Sequence, residues 1–201
     1  MIRSIFRGEQ FKVTSIYGNR VLNGNNEFHG GLDLVGISSW DVVSIVDGTV
    51  IQSRIVTDKN NLTWQWGNYV CILGIDGRYY YYCHLASRSV NSGQQVKAGD
   101  KLGMMGNTGY SFGAHTHFEV RESDGRTKVN PAPLLGIDNA VGIYQVTKKL
   151  TANDYIEMIV KKVGYSNPEP VIQSFKLLQH PYKFDLFRKL YEALKWVNRS
   201  K

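Results

Sequence analysis

The sequence predicts a mainly β protein with a small helical region at its C-terminal end. Between residues 11 and 50, short apolar runs alternate with Gly, Asn and Asp, a pattern typical of strands and turns. Two Asp-Gly pairs, at 47–48 and 76–77, lie between apolar runs and predict hairpins. After Asn130, apolar residues recur three and four positions apart, which predicts helices.

Length and composition indicate one globular domain with a small appendage. The chain has 201 residues, of which 42% are hydrophobic and 20% charged. We expect a β domain over residues 1–147 and a helical appendage over residues 148–201. No window is long and apolar enough to span a membrane, and the first residues, MIRSIFRGEQ, lack the apolar core of a signal peptide. The sequence therefore predicts neither.

The net charge of +7 is concentrated in the predicted appendage. Residues 148–201 contain 11 basic and 5 acidic residues, a net charge of +6. A basic appendage suits an anionic surface such as a cell-wall polymer, and it also suits nucleic acid or simple solubility. No zinc-finger or RNP-type motif supports nucleic acid, so we expect no such partner.

The two cysteines, Cys71 and Cys83, flank the predicted hairpin at residues 76–77. With a two-residue loop at 76–77, the residue numbers of positions that face each other across the two strands sum to 153. The numbers of the two cysteines sum to 154, one more than a facing pair. Their side chains should then point to opposite faces of the sheet. We expect two free, buried thiols; zinc ligation remains an alternative, although no CxxC spacing supports it.

Loops and turns separate the remaining strands. The loop at 57–67, TDKNNLTWQWG, carries Trp64 and Trp66, which either wall a groove or fold back as a lid on the core. The glycine-rich segment from Asn91 to Gly109 leads into GAHTHFEV, from Gly113 to Val120, which we interpret as a strand. NPAPLLGI then resembles a terminating turn.

Three amphipathic helices are predicted in the appendage. The first follows TAND, which resembles a capping box with Asp in place of Glu, and ends at Gly164. Pro168 can open the second, and Pro181 interrupts it. The third runs from Tyr182 to about Asn198 with an apolar stripe.

The GAHTHFEV strand places two histidines on one face. Side chains in a strand alternate, so His115, His117 and Glu119 should point one way and Phe118 the other. Residues two positions apart in a strand lie roughly 6.5–7 Å apart along it. This spacing allows one histidine to bind a metal and the other to reach the water or substrate at that metal. The alternative is a histidine pair that caps the strand or lies on a solvated sheet face.

Two other histidine motifs precede this strand. His29 and Asp33 in HGGLD would lie roughly 13 Å apart in an extended strand, too far to share one ion. If both bind one metal, the chain must fold back at Gly30 and Gly31, which glycine permits; otherwise His29 lies on a loop and Asp33 caps a turn. His84 ends the run RYYYYCHLA, and alone it is more typical of a packed histidine.

Together these motifs resemble the lysostaphin-type zinc endopeptidases of bacterial cell walls. FHGGLDLVG, YYYCHLA and GNTGYSFGAHTHFEVR occur in that order, accompanied by TSIYGNR, DGTV, VKAGDKLGMMGNTG and NPAPLL. The resemblance covers roughly Phe11 to Leu135 and leaves out the helical appendage. It implies an antiparallel β-sheet domain with a groove over a metal site.

The resemblance implies one zinc ion per chain, bound by His29, Asp33 and His117. Three such ligands leave a fourth position for water, as in catalytic zinc sites. His84 and His115 would line the open side, deprotonate the water and stabilise the oxyanion. The chain has no HExxH, so the glutamate base of helical zinc proteases is absent.

Three further residues have open roles. Glu119 either orients a metal ligand from behind or is a plain surface or core-edge carboxylate, which we favour. Asn107 either hydrogen-bonds a substrate peptide or serves the NTG turn. His180, in the appendage, has no predicted role.

We therefore expect a zinc endopeptidase that cuts peptidoglycan stem peptides or cross-bridges. We further expect a phage or prophage lysin or tail-associated hydrolase, released by host lysis or carried on the virion. Its basic appendage would contact anionic wall polymers. The alternative is a non-catalytic, zinc-stabilised wall-binding or virion structural module.

Overall fold

The computed structural model describes residues 3–22, 24–147, 151–163, 173 and 183–197. The chain divides into two compact units, Met1–Thr147 and Lys148–Lys201. The regular elements in the described part of the first unit are mainly strands and those of the second are helices, so the mainly β fold class is confirmed. The strands are β1 Gln10–Ser15, β2 Gly18–Leu22, β3 Asn25–His29, β4 Leu32–Gly36, β5 Asp41–Val43, β6 Gly48–Arg54, β7 Tyr69–Gly74, β8 Tyr79–Cys83, β9 Ser87–Arg88, β10 Gln95–Val96, β11 Lys101–Met104, β12 Thr116–Arg121, β13 Lys128–Val129 and β14 Gly142–Gln145. The helices are a 3-10 turn, Trp64–Trp66, and α1 Ala132–Leu135, α2 Ala152–Val163 and α3 Lys183–Val197.

Within the described residues, nine strands form one antiparallel sheet. Eight follow the order β10-β6-β7-β8-β12-β4-β1-β14, and β13 pairs with β12. A smaller sheet has the order β5-β11-β9, and β2 and β3 form a separate hairpin. In the large sheet, β12 lies between β8 and β4, which brings the three histidine motifs of the sequence together.

The two faces of the large sheet have different roles. Phe118, Leu32 and Tyr82 lie on one face and are fully buried in the main core. On the other face, His117 stands opposite Asp33 of β4 and Cys83 of β8. The alternation predicted for β12 therefore holds for Phe118 and His117, and the core supports the floor of the site from below.

The hairpin between β7 and β8 differs from the prediction. Its loop has three residues, Ile75 to Gly77, because the Gly74 N–H bonds to the Arg78 carbonyl at 2.9 Å. The additional residue shifts the register, so Cys71 pairs with Tyr81. The prediction of opposite faces for the two cysteines was wrong: both lie in one small cluster with Tyr69 and Tyr81. Both are buried free thiols, as predicted.

The Asp47-Gly48 pair does not close a hairpin. β5 and β6, on either side of it, belong to different sheets. A Cβ on Gly48 would lie 2.3 Å from the carbonyl oxygen of Leu73 on the paired strand. Glycine is therefore required there because the paired strand packs closely against it. The Asp-Gly pair at this position does not form the hairpin turn that the sequence predicted.

The described helices of the second unit agree with two of the three predicted helices. Thr151 and Asp154 form the reciprocal cap, with the Thr151 N–H 2.7 Å from Asp154 Oδ2. Tyr155 packs edge-on against Phe184 and tilted against Tyr191 of α3. The predicted second helix lies outside the described residues, apart from Gln173. None of the described helices is long and apolar enough to cross a membrane.

Candidate functional site

Three side chains from three strands converge on one point. His29 ends β3, Asp33 lies in β4, and His117 faces Asp33 from β12. His29 Nε2 lies 3.1 Å from Asp33 Oδ1 and 3.0 Å from His117 Nδ1, and His117 Nδ1 lies 3.0 Å from Asp33 Oδ1. Two imidazole nitrogens and a carboxylate oxygen are a donor set that zinc prefers.

The other polar atom of each of these side chains meets a partner. His29 Nδ1 lies 2.6 Å from the carbonyl of Ile16 and donates to it in the tautomer that leaves Nε2 free. Asp33 Oδ2 accepts a hydrogen bond of 3.1 Å from Arg20. His117 Nε2 faces Glu119 Oε2 at 3.6 Å. Such outer contacts fix the orientation of metal ligands, so the set fits a zinc ion.

The electrostatics of this cluster favour a charged carboxylate. Burial raises the pKa of Asp33, but hydrogen bonds with His117 and His29 outweigh it and hold that pKa well below its usual range. Burial lowers the pKa of His117, but the hydrogen bond with Asp33 outweighs it and raises the pKa above its usual value. Asp33 is therefore an anion at neutral pH, as a metal ligand must be.

The chain folds back at HGGLD, as a shared metal would require, because His29 Nε2 and Asp33 Oδ1 lie 3.1 Å apart, but the two glycines contribute in a different way from the one expected. Neither Gly30 nor Gly31 has a positive φ, so no unusual backbone conformation folds the chain back. Their role is close approach: a Cβ on Gly31 would lie 2.4 Å from the Phe118 carbonyl and 2.9 Å from the His117 ring. The turn from β3 to β4 passes directly against β12, which only glycine permits.

His84 reaches the cleft through a strained backbone. It directly follows β8 and has φ +63°, in the left-handed region. Strand alternation would place it on the core face with Tyr80 and Tyr82; instead its ring lies 4.7 Å from that of His115. Nδ1 donates to the Thr108 carbonyl at 2.8 Å. Burial and the nearby His115 and His117 lower the pKa of His84 to about 4, so its ring is neutral at pH 7 with Nε2 unprotonated.

His115 lies just before β12, paired with Gly106 in an isolated bridge. Its Nδ1 is 2.8 Å from the Gly113 carbonyl and 3.2 Å from the Ser111 hydroxyl. With Nδ1 donating to that carbonyl, Nε2 faces the cluster, 3.5 Å from Asp33 Oδ1. In these tautomers His84 and His115 each have an unprotonated Nε2, and both rings lie beside the three converging side chains.

These five residues line a cleft of ≈ 880 Å³. One wall is the β2–β3 hairpin, with Arg20, Val21 and Phe28; the other includes Trp66 and the loop from Tyr110 to Ala114. Trp66 also packs edge-on against Tyr69 in the small cluster. Both interpretations hold for Trp66, which covers apolar residues and also lines the cleft. Trp64 packs against the small cluster, as the second interpretation expects.

Several roles stay predictions and several contacts were not predicted. Asn107 Oδ1 accepts a hydrogen bond from Ser111, and its contact with a substrate peptide stays a prediction. His180 lies outside the described residues. The sequence did not predict the contact of Arg20 with Asp33, although Arg20 belongs to the motif TSIYGNR. Within the described part of the chain, no group of potential metal ligands includes a cysteine.

Comparison with known proteins gives consistent matches to this β unit. Residues 27–131, just over half of the chain, match peptidase family M23. The glycyl-glycine endopeptidase ALE-1 of Staphylococcus capitis is 30% identical over 122 residues, which are 59% of this chain and 32% of that protein. The chain thus spans about a third of that relative's length.

Solved structures agree. The catalytic domain of lysostaphin from Staphylococcus simulans is 27% identical with a TM-score of 0.50, over 62% of this chain and 91% of that one. The catalytic domain of EnpA, a prophage-encoded M23 protein from Enterococcus faecalis, is 30% identical with a TM-score of 0.50, over 60% of this chain and 88% of that one.

Proposed function

Because the chain belongs to peptidase family M23, we propose that it is a zinc-dependent endopeptidase that hydrolyses peptide bonds in peptidoglycan. The observation that carries the proposal is the convergence of His29, Asp33 and His117 beside two further imidazoles in one cleft. Structural zinc sites have four protein ligands, whereas three leave a position for water. Since the rings of His84 and His115 lie beside these three side chains, the arrangement suits hydrolysis.

His29 Nε2, Asp33 Oδ1 and His117 Nδ1 would hold the metal. When bound, zinc supplies Lewis acidity, which polarises the scissile carbonyl and lowers the pKa of a water molecule toward neutrality. His84 Nε2 and His115 Nε2 can each accept the proton of the attacking water. A ring that has accepted this proton becomes a donor, and it can pass the proton to the nitrogen of the leaving amine.

The substrate and the origin are finer parts of the proposal. The bond lies in a stem peptide or a cross-bridge, and the relative ALE-1 is named for glycyl-glycine bonds. We propose a phage or prophage lysin or tail-associated hydrolase, supported by the similarity to the prophage-encoded EnpA. Neighbouring phage structural genes would support this origin. The basic second unit, with a net charge of +6, would contact anionic wall polymers.

The test is hydrolysis of purified peptidoglycan by wild-type protein and by His117→Ala. Zinc-free protein is assayed with and without stoichiometric zinc, and released fragments are analysed by mass spectrometry for new amino termini. We expect zinc-dependent termini from the wild type and none from folded His117→Ala. His180→Ala, which changes a histidine outside the motifs, is the matched control and should retain activity.

Two outcomes would contradict the proposal. Undiminished cleavage by His117→Ala would contradict the ligand set. Zinc binding and retention on sacculi, with no new termini from several wall chemotypes, would instead support the non-catalytic wall-binding module.

A further inference from the structure

Glu119 is a buried carboxylate on the site face of β12. Its side chain is only 2% exposed, although the sequence favoured a plain surface or core-edge carboxylate. Arg121 donates to Oε1 at 2.6 Å from Nε, and Lys128 Nζ lies 3.0 Å from Oε2. Removing a carboxylate from water is costly unless such partners compensate it. The fold therefore maintains a charged group at this position.

The carboxylate faces the outer nitrogen of a proposed zinc ligand. His117 Nδ1 belongs to the converging cluster, so it carries no proton when it binds metal, and the proton of the neutral ring lies on Nε2. Glu119 Oε2 is 3.6 Å from this Nε2. A hydrogen bond requires a distance about 0.5 Å shorter, so the proposed contact involves a shift of that size between the two side chains.

The backbone between the other two proposed ligands packs against the same ion pair. A Cβ on Gly30 would lie 2.4 Å from Lys128 Nζ and 2.9 Å from Glu119 Oε2. Gly30 joins His29 to the turn that leads to Asp33. The Glu119–Lys128 pair thus occupies space that this glycine leaves open.

We propose that Glu119 is a positioning residue for the metal site. It accepts the Nε2–H of His117 and so fixes the tautomer that presents Nδ1 to zinc, while Arg121 and Lys128 hold the carboxylate in place. The inference rests on the proposed function, because it takes His117 as a zinc ligand. An ionised carboxylate only accepts hydrogen bonds, so it excludes the opposite tautomer. An amide at the same position would also donate and would stabilise both tautomers.

The test is zinc affinity, measured by competition with a chromophoric chelator on the full chain. Outer partners of metal-bound histidines typically contribute about 10–100-fold to metal affinity. We expect Glu119→Gln to weaken zinc binding about 10-fold and Glu119→Ala by at least as much. Glu122→Gln is the matched control, because Glu122 pairs with Arg78 at 3.2 Å in a different ion pair. It should bind zinc as the wild type does.

Nitrogen-15 NMR of the zinc-loaded protein separates positioning from simple stabilisation. We expect the Nε2–H of zinc-bound His117 to show the chemical shift of a proton donated to a carboxylate in the wild type and in Glu122→Gln, and a changed shift in Glu119→Gln. A purely structural role would lower the melting temperature of zinc-free protein and leave zinc affinity and this chemical shift unchanged. That result in Glu119→Gln would overturn the inference, even if Glu119→Ala did not fold.

His117→Ala distinguishes this inference from the proposed function. If it loses zinc while both Glu119 variants bind as the wild type does, only the positioning role fails. If His117→Ala retains full zinc affinity, His117 is not a ligand, and both proposals fail.

Discussion

His84 shows how a single residue can gain a site position through backbone strain. Among the described residues, it is the one non-glycine residue with a positive φ, at +63°. This conformation costs an L-residue about 1–2 kcal/mol because Cβ approaches the following carbonyl. In return, the ring leaves the core face of β8 and lies beside His115. Strained conformations of this kind concentrate at functional sites.

Because of this strain, we expect glycine to give a more stable protein than alanine at position 84, the reverse of the usual order. Both His84→Gly and His84→Ala remove the ring, but only alanine retains a Cβ in the left-handed region. We expect the glycine variant to be more stable than the alanine variant by about 1 kcal/mol. Urea unfolding of the zinc-free variants measures the difference.

Ala86→Gly is the control for this comparison. Ala86 lies two residues later, is exposed and has no positive φ. Glycine should therefore be less stable than alanine there by about 0.5–1 kcal/mol. If alanine is also the more stable residue at position 84, then His84 is not strained.

At the scale of elements, the connection from β3 to β4 requires a residue without a side chain at position 31, because it packs closely against β12. A Cβ at position 31 would lie 2.4 Å from the Phe118 carbonyl, a backbone atom that cannot move without displacing β12. We expect Gly31→Ala to lower the free energy of unfolding by about 1–3 kcal/mol, as overpacking does. It should also weaken zinc binding, since the same Cβ would lie 2.9 Å from the His117 ring.

Thermal unfolding and chelator competition test both effects, with Gly142→Ala as the matched control. Gly142 lies in the edge strand β14, and a Cβ there would come no nearer than 3.7 Å to Tyr144. Its replacement should change stability by less than about 0.5 kcal/mol. Equal stability of the two variants would contradict the close-approach explanation.

Local rules explain which elements were predictable from the sequence. The alternation in β12 predicted His117 and Phe118 on opposite faces. It was reliable because one face of the sheet is buried, and only the register with the apolar residues on that face is stable. The predicted register of β7 and β8 was wrong because their loop has three residues and not two. A difference of one residue changes which side chains of the two strands share a face. The positive φ of His84 carried no signal, since nothing in RYYYYCHLA distinguishes it from a continuing strand.

Contacts between distant elements could not be predicted from local patterns. Arg20 reaches Asp33 from a separate hairpin, and Lys128 reaches Glu119 from β13. Neither position is periodic or part of a spacing rule, so only the assembled sheet brings them together. The proposed metal ligands could be predicted from the sequence because the motifs that resemble the family contain them in order. The residues that support these ligands follow no such motif and were seen only in the structure.

At the scale of the whole molecule, the proposed chemistry and most of the net positive charge belong to different units. The five site residues lie within Met1–Thr147, whereas residues 148–201 have a net charge of +6. A cut after Thr147 keeps β14, which pairs with β1 and completes the sheet. Such a truncation should leave the cleft intact and remove most of the attraction to anionic surfaces.

We therefore expect residues 1–147 to bind zinc as tightly as the full chain does, and to bind anionic sacculi more weakly at low salt. The difference should vanish at high salt, because the Debye length falls from about 10 Å at 0.1 M to about 3 Å at 1 M. Cosedimentation at both salt concentrations measures this, with sacculi stripped of anionic polymers as the control. Equal retention of the two proteins at low salt would show that the basic unit has another role. Loss of zinc affinity on truncation would instead show that the β unit depends on the helices.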